Sequence, residues 1–319
     1  MSVKIAWLVL RRRVCLLDRQ ILVLNTCSDL MWISDHYRQR FEFVVCRFDT
    51  TQPTVQTQLF NTNVYETKII FCNDNMVDVR IHLKLAFKTS VLGHVFCVND
   101  QKPMYNFLKE WHVSDYGSVL NVKCATFVWE SPHVIVFDLD HTLITDDKEI
   151  TLRDKFIHKS LQELKRAGCV LILWSYGNKY HVTHSLKILN MMSYFDIIIC
   201  NGRYEICTEL STSRSKKYAP RFVLDYDATN VFVETMFDVD VNLHNKMLPK
   251  SPKVVLHYVK KIGITTFKSL TLVDDLATNN YNYDYFINVK KSYTIKNDWN
   301  VYHDALFENF IQYDNAYSF

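Results

Sequence analysis

The segment Asp138-Leu139-Asp140-His141-Thr142 sets two carboxylates two residues apart, with a hydroxyl two residues further on. Directly before it, His133 to Phe137 is a short apolar run of the kind that forms a buried strand. Side chains on extended backbone repeat every two residues, so Asp138 and Asp140 point the same way. They would sit just past the strand's carboxyl end, where open parallel sheets bind their ligands. One carboxylate of such a pair can attack phosphorus, while the other protonates the leaving oxygen and then activates water. An acidic turn capping a helix has the same pattern, so the pair alone leaves both readings open.

Three further segments add complementary chemistry. Val170 to Trp174, a second apolar run, ends in Ser175-Tyr176-Gly177. The hydroxyl could bond a phosphoryl oxygen, and Gly177 admits close backbone approach. Lys250 precedes Ser251-Pro252 at the start of a predicted helix, where a cation can neutralise phosphoryl charge; Lys253 is its rival. Ser269 to Val273 is a fourth apolar run and ends in Asp274-Asp275. With Asp138 these acids suit Mg²⁺, which takes a few carboxylates and keeps waters and phosphate oxygens. Singly, Ser175 reads as a helix cap and Lys250 as a solvated lysine; the ordered set predicts phosphoryl transfer.

The elements that must position these groups are visible as alternating patterns. A helix is expected from Leu152, with Thr151 as N-cap and Asp154 completing a capping box, and Gly168 stops it. Another should run from Lys179 to Met191, a third strand from Phe195 to Cys200, a helix over Pro252 to Lys261, and a fifth strand over Tyr285 to Val289. Continuous apolar strands separated by helices predict an α/β domain, a parallel sheet covered on both faces, over residues 131 to 319. Asn201 to Pro249 is too long for an ordinary connection. Arg221 to Asp225 and Val231 to Met236 look like strands within it, giving a small β insertion. Residues 1 to 130 read as a β-rich domain or flank, antiparallel in character. In Val77 to Phe87 apolar and polar residues alternate with period two, and Phe41 to Phe48 and Tyr65 to Cys72 are rich in strand formers.

Composition narrows the class. The chain has 319 residues, 48% hydrophobic and 22% charged, with a net charge of +3, which argues neither for nor against a nucleic-acid partner. Arg11 to Arg13 and Arg214 to Arg221 are basic clusters that suit solvated faces or binding patches. The nine cysteines form no C-x-x-C pair and sit mostly in apolar runs. That predicts buried thiols in a reducing compartment, without disulfides or zinc. The apolar run Ile5 to Leu10 is stopped by three arginines, too short for a secretory core or a spanning helix, so a soluble intracellular protein is expected.

The ordered motifs are similar to those of the haloacid dehalogenase superfamily over about residues 133 to 290: Asp138, Asp140 and Thr142, then Ser175, then Lys250, then Asp274 with Asp275. That resemblance implies a Rossmann-like parallel sheet and an aspartate nucleophile. The D-x-D-x-T form and the β insertion resemble the RNA polymerase C-terminal-domain phosphatases, which act on phosphoserine in proteins. The chain departs from the superfamily in His141, where many members carry glycine, and from the polymerase phosphatases in Asp275, where they carry asparagine. As a whole it resembles the baculoviral thirty-eight-kilodalton nucleocapsid-assembly family, which pairs V-F-D-L-D-H-T with L-V-D-D. This second resemblance implies action in the host nucleus and virion nucleocapsid, with capsid proteins and an arginine-rich DNA-condensing phosphoprotein as contacts.

The expectation is therefore a Mg²⁺-dependent phosphoprotein phosphatase. Asp138 attacks, Asp140 serves as acid and base, Thr142 and Ser175 position, and Lys250 neutralises. Asp138, Asp140 (through its carbonyl), Asp274 and Asp275 surround the metal. The acidic residues Asp225, Asp227, Glu234, Asp238 and Asp240 of the insertion would face a basic substrate. A nucleic-acid 3′-phosphatase using Arg214, Lys216, Lys217 and Arg221 is the alternative enzyme, and a structural capsid protein with a vestigial site the alternative class.

Overall fold

In the computed structural model, residues 4–14, 19–48, 60–121, 130–145, 149–206, 220–227, 232–238 and 249–319 are described. They fall into two compact units. One comprises Met1–Pro132, Val255–Ser269 and Gln312–Phe319; the other comprises His133–Val254 and Leu270–Ile311.

The first unit is built on strands β1 (Ile5–Arg12), β2 (Ile21–Val23), β3 (Phe43–Arg47), β4 (Tyr65–Cys72), β5 (Leu92–Gly93), β6 (Val95–Cys97) and β7 (Val113–Asp115). Six of them form a sheet in the order β4-β1-β3-β2-β6-β7. β1 pairs antiparallel with β3 and β4, whereas β2 pairs parallel with β3 and β6, and β6 with β7. The expectation of an antiparallel domain is thus corrected to a mixed sheet.

A second correction concerns Val77 to Phe87, expected as a strand. Met76–Phe87 is a helix, α1, with Asn75 as N-cap accepting a hydrogen bond from the Asp78 amide. Its buried residues are Met76, Val79, Arg80, Leu83, Lys84 and Phe87, which is helical spacing. Period-two counting treated Arg80 and Lys84 as solvent-facing. Both are buried: Arg80 stacks its guanidinium over Phe267, and Lys84 donates to the Lys268 carbonyl at 2.7 Å and to the Tyr313 hydroxyl at 2.6 Å. Two paired cations completed an apolar stripe that hydrophobicity alone could not register.

The cysteines also differ from expectation in part. Cys72, Cys97, Cys169 and Cys200 are free and buried, but Cys27 and Cys46 form a disulfide. Both belong to the same apolar cluster, and their Cα atoms lie 5.9 Å apart, a normal separation for that bond. Cys15, Cys124 and Cys207 lie outside the described residues.

The second unit carries β8 (Val134–Phe137), β9 (Val170–Trp174), β10 (Ile197–Ile206), β11 (Pro220–Asp227), β12 (Phe232–Asp238), β14 (Leu270–Asp274) and β15 (Tyr285–Asn288); the remaining two-residue strand β13 (Thr266–Phe267) pairs with β5 in the first unit. Its sheet has the order β12-β11-β10-β9-β8-β14-β15. β10, β9, β8, β14 and β15 run parallel, and β11 and β12 continue antiparallel from β10 as the small insertion. Every residue of β8 is fully buried, the signature of a central parallel strand. Helices α2 (Phe156–Arg166), α3 (Lys179–Ile188) and α5 (Trp299–Ala316) pack Leu161, Leu164, Val182, Leu186, Leu306 and Phe310 into one cluster with Phe137, Leu171 and Leu173. The helix α4 covers Pro252–Lys261. Among the described residues, no helix is long and apolar enough to cross a membrane.

The α2 helix begins four residues later than Leu152, and Thr151 does not cap it. Backbone from Thr151 to Arg153 is instead tied to the loop after β8: Thr145 N donates to Thr151 O at 3.0 Å, and Arg153 N to Leu143 O at 3.0 Å. That bridge holds Leu152 opposite Ile144 and fixes the loop that carries Asp140 and Thr142. Asp154 accepts from the amides of Phe156 and Trp299, both at 2.8 Å, in place of its expected capping-box role.

Candidate active site

β8 and β14 are neighbours whose chain connections leave in opposite directions, the arrangement that opens a crevice at the carboxyl ends of parallel strands. Register places Phe137 beside Val273, so Asp138 and Asp274 emerge together. The Asp138 amide still donates to the Val273 carbonyl at 3.0 Å, lacing the chain to β14 for one residue beyond the strand. Two adjacent buried carboxylates repel, and Lys250 offsets that repulsion. Its ammonium is fully buried and contacts Asp138 Oδ1 at 2.5 Å and Asp274 Oδ2 at 2.7 Å. Asn279 Nδ2 donates to both oxygens of Asp274 at 3.0 Å, and the Leu276 amide donates to Oδ1 at 2.8 Å. The Asp275 amide donates to the Thr142 hydroxyl at 3.2 Å, and its carboxylate lies 3.7 Å from the Lys291 ammonium.

Burial sets the electrostatics here. It pushes the Asp138 carboxyl up to about 7, against the pull of Lys250 and with the help of Asp274. Burial alone would lower the Lys250 ammonium, but Asp138 and Asp274 outweigh it and hold the lysine above its ordinary value. The Asp275 carboxyl is also raised, by burial and by Asp274. Tyr176, whose ring faces the Lys250 ammonium at 5.1 Å, has its phenol pushed up to about 12 by burial. One ligand atom from each of Asp138, Asp274 and Asp275 lies within 4.8 Å of the others, so these three carboxylates could share a cation.

Asp140 forms a separate group. Its Oδ2 accepts from the Ser175 hydroxyl at 3.0 Å, and its Oδ1 lies 2.7 Å from His181 Nε2. The Ser175 oxygen accepts in turn from the Gly177 amide at 2.9 Å. Between the two aspartate groups the chain turns through His141 with φ of 63°, the left-handed region that glycine occupies without penalty. His141 is held there by its carbonyl, which accepts from the Ser292 amide at 3.1 Å and from Arg153 at 3.4 Å.

A family model described as a protein of unknown function, DUF705, matches residues 5–318. The chain belongs to the DUF705 family. Its relatives include an uncharacterized 38.0 kDa protein of Autographa californica nuclear polyhedrosis virus, 38% identical over 99% of this chain and 98% of that one. Others are an uncharacterized 36.0 kDa protein of Orgyia pseudotsugata multicapsid polyhedrosis virus, 38% identical over 98% of each chain, and an uncharacterized 41.0 kDa protein of Cryptophlebia leucotreta granulosis virus, 38% identical over 98% of this chain and 86% of that one. This is a baculoviral family.

In this DUF705 chain Asp138, Lys250, Asp274 and Asp275 converge, and it is Lys250 whose ammonium lies between the carboxylates. The Asp140 carboxylate points elsewhere, to Ser175 and His181. Ser175, expected to meet a phosphoryl oxygen, spends its proton on Asp140, and Thr142 anchors the Asp275 amide. Asp225, Asp227, Glu234 and Asp238 stand on β11 and β12. Arg214, Lys216, Lys217 and Asp240 lie outside the described residues, and so does most of the Arg214 to Arg221 cluster. Sequence reasoning passed over Asn279, Lys291 and His181. Asn279 ends a three-residue 3-10 turn (Ala277–Asn279) and Lys291 sits in a loop, neither with a periodic pattern; His181 is three residues after the N-cap Asn178.

Proposed function

We propose that this protein is a Mg²⁺-dependent phosphoprotein phosphatase with the haloacid dehalogenase fold, working through an aspartyl-phosphate. The observation that carries the reading is the Lys250 ammonium fastened between Asp138 and Asp274, with the Asp140 carboxylate held apart by other partners. Such a layout separates a nucleophile from an acid–base group, as two-step phosphoryl transfer requires.

A Mg²⁺ ion held by Asp138, Asp274, Asp275 and the Asp140 carbonyl would supply charge neutralisation for the phosphoryl oxygens. Asp138 attacks phosphorus in line, and the ester P–O bond breaks as Asp140 gives its proton to the departing seryl or threonyl oxygen. Asp140, now a carboxylate, takes a proton from the water that attacks the aspartyl-phosphate, and phosphate leaves with the Asp138 carboxylate restored. Lys250 keeps Asp138 close to Asp274 despite their like charge and compensates the charge arriving with the phosphoryl group. Thr142 orients the Asp275 backbone.

Within the viral family, the reading extends to a substrate: a basic, arginine-rich DNA-packaging protein whose dephosphorylation serves nucleocapsid assembly in the host nucleus, alongside capsid proteins. The test is phosphate release from a panel of phosphoserine peptides of differing basicity and 3′-phosphorylated oligonucleotides. Mg²⁺ should be required, and excess chelator and Asp138→Asn should each abolish release. Turnover in excess chelator, or in Asp138→Asn, would defeat the mechanism. Preference for oligonucleotides would replace the protein substrate with a nucleic-acid end.

A further inference from the structure

The general acid–base of the proposed reaction must present one oxygen to the leaving group and keep it there through two proton transfers. Both oxygens of Asp140 are held, and the two holders are different in kind. Ser175 is fully buried at the end of β9, so its hydroxyl belongs to the frame of the sheet. His181 comes from the first turn of α3 and is 37% exposed, beside an Asp140 side chain that is 41% exposed. Its ring nitrogen lies 2.7 Å from Asp140 Oδ1. An ionised carboxylate only accepts, so once Asp140 has given up its proton Nε2 is the donor, in the tautomer that carries its proton there.

Local structure is arranged around this contact. The Asn178 side chain caps α3 by accepting the His181 amide at 2.9 Å, and the Ser185 hydroxyl donates to the His181 carbonyl at 2.8 Å. Residue 177 has to be glycine for the ring to lie where it does. A Cβ there would stand 2.8 Å from His181 Cδ2 and 3.1 Å from the Ser175 oxygen, the two groups that hold Asp140.

We propose that His181 is a positioning residue for catalysis: it donates from Nε2 to Asp140 Oδ1 and, with Ser175, fixes the rotation of the carboxyl that delivers and recovers the proton. This rests on the phosphatase reading and adds a residue to it. His181 acts through Asp140.

The experiment compares His181→Ala and His181→Gln with the wild type on a phosphoserine peptide and on p-nitrophenyl phosphate, in steady state and in the pre-steady-state burst. A nitrophenolate leaving group needs no proton, whereas a seryl oxygen does. In His181→Ala, kcat on the peptide should fall by on the order of tenfold to a hundredfold, the scale of a lost hydrogen bond to a charged group, while KM stays within about twofold. The nitrophenolate burst should keep its rate, and the steady state behind it should slow, because hydrolysis of the aspartyl-phosphate still needs Asp140. The amide nitrogen of His181→Gln reaches about where Nε2 lies and should restore most of kcat. Equal loss of burst rate and peptide turnover would overturn the proposal, as would an effect confined to KM or no effect at all. Wild-type protein inactive on both substrates, or active Asp138→Asn, would instead defeat the phosphatase reading, and the proposal with it.

Discussion

Replacing Lys250 by methionine keeps most of the side chain's length and removes its charge. The ammonium is fully buried, 2.5 Å from Asp138 Oδ1 and 2.7 Å from Asp274 Oδ2. At an effective dielectric of about 20, each contact corresponds to roughly 6 kcal/mol of gross attraction, most of it offset by desolvation. Breaking a buried pair by deleting one partner leaves a net loss of about 3–5 kcal/mol. Here the loss depends on pH, because Asp138, already at about 7, can take up a proton and relieve the repulsion. The folded-state carboxyl lies above its unfolded value near 3.8, so its contribution to stability declines as pH rises from about 4 through 7. Without Lys250 the carboxyl moves higher still, and the decline continues above 7 at up to about 1.4 kcal/mol per pH unit. Urea denaturation in the presence of chelator should therefore find Lys250→Met only mildly destabilised at pH 6 and severely so at pH 8.5. A deficit equal at both pH values, or below about 1 kcal/mol at pH 8.5, would refute the account of how these charges are balanced.

Other substitutions probe the scaffold. Asn75→Ala should lower stability by about 1 kcal/mol through loss of the α1 cap, and an unchanged urea midpoint would argue against that helix start. His94 is fully buried and lowered to about 4 by that burial, so it is neutral in the fold. Its contribution is complete above 6.5 and is lost as pH falls toward 4, by about 3 kcal/mol in all; in His94→Gln the slope over that window should flatten, and an unaltered slope would exclude it as the source. Gly177→Ala should depress turnover far more than stability, which should change by less than about 2 kcal/mol; wild-type kcat would mean that the ring and hydroxyl beside it are free to move.

Much of the second unit was legible because a buried parallel strand is a continuous apolar run, and the chemistry-bearing residues stand where such runs stop. Val170–Trp174 and Pro252–Lys261 match their expected bounds. Asp138, Ser175 and Asp274 occupy strand ends for the same reason. Legibility failed where burial is purchased with charge, as with Arg80 and Lys84 in α1, or where backbone is claimed by a tertiary bridge, as at Thr151 to Arg153. The α5 helix was passed over although Trp299, Leu306, Phe310 and Tyr313 recur at helical intervals among its many polar residues. No local signal announces that His181 reaches Asp140, because the contact depends on the angle at which α3 leaves β9.

The position of β8 between β9 and β14 has a consequence for how the protein comes into being. As the chain is synthesised, β9 follows β8 first, but β14 (Leu270–Asp274) begins roughly 130 residues after β8 ends at Phe137, and Lys250 is 112 residues from Asp138. Until then β8, a fully buried strand of apolar residues, has one edge of unpaired backbone N–H and C=O groups, and Asp138 has neither its cation nor its neighbour. Nascent or prematurely ended chains would thus carry Asp138, the nucleophile of the proposed reaction, without the groups that surround it, together with a surface prone to misassociation. Protection of β8 should therefore begin only when residues 270–274 pair with it, and the sheet is complete once β15 has joined β14.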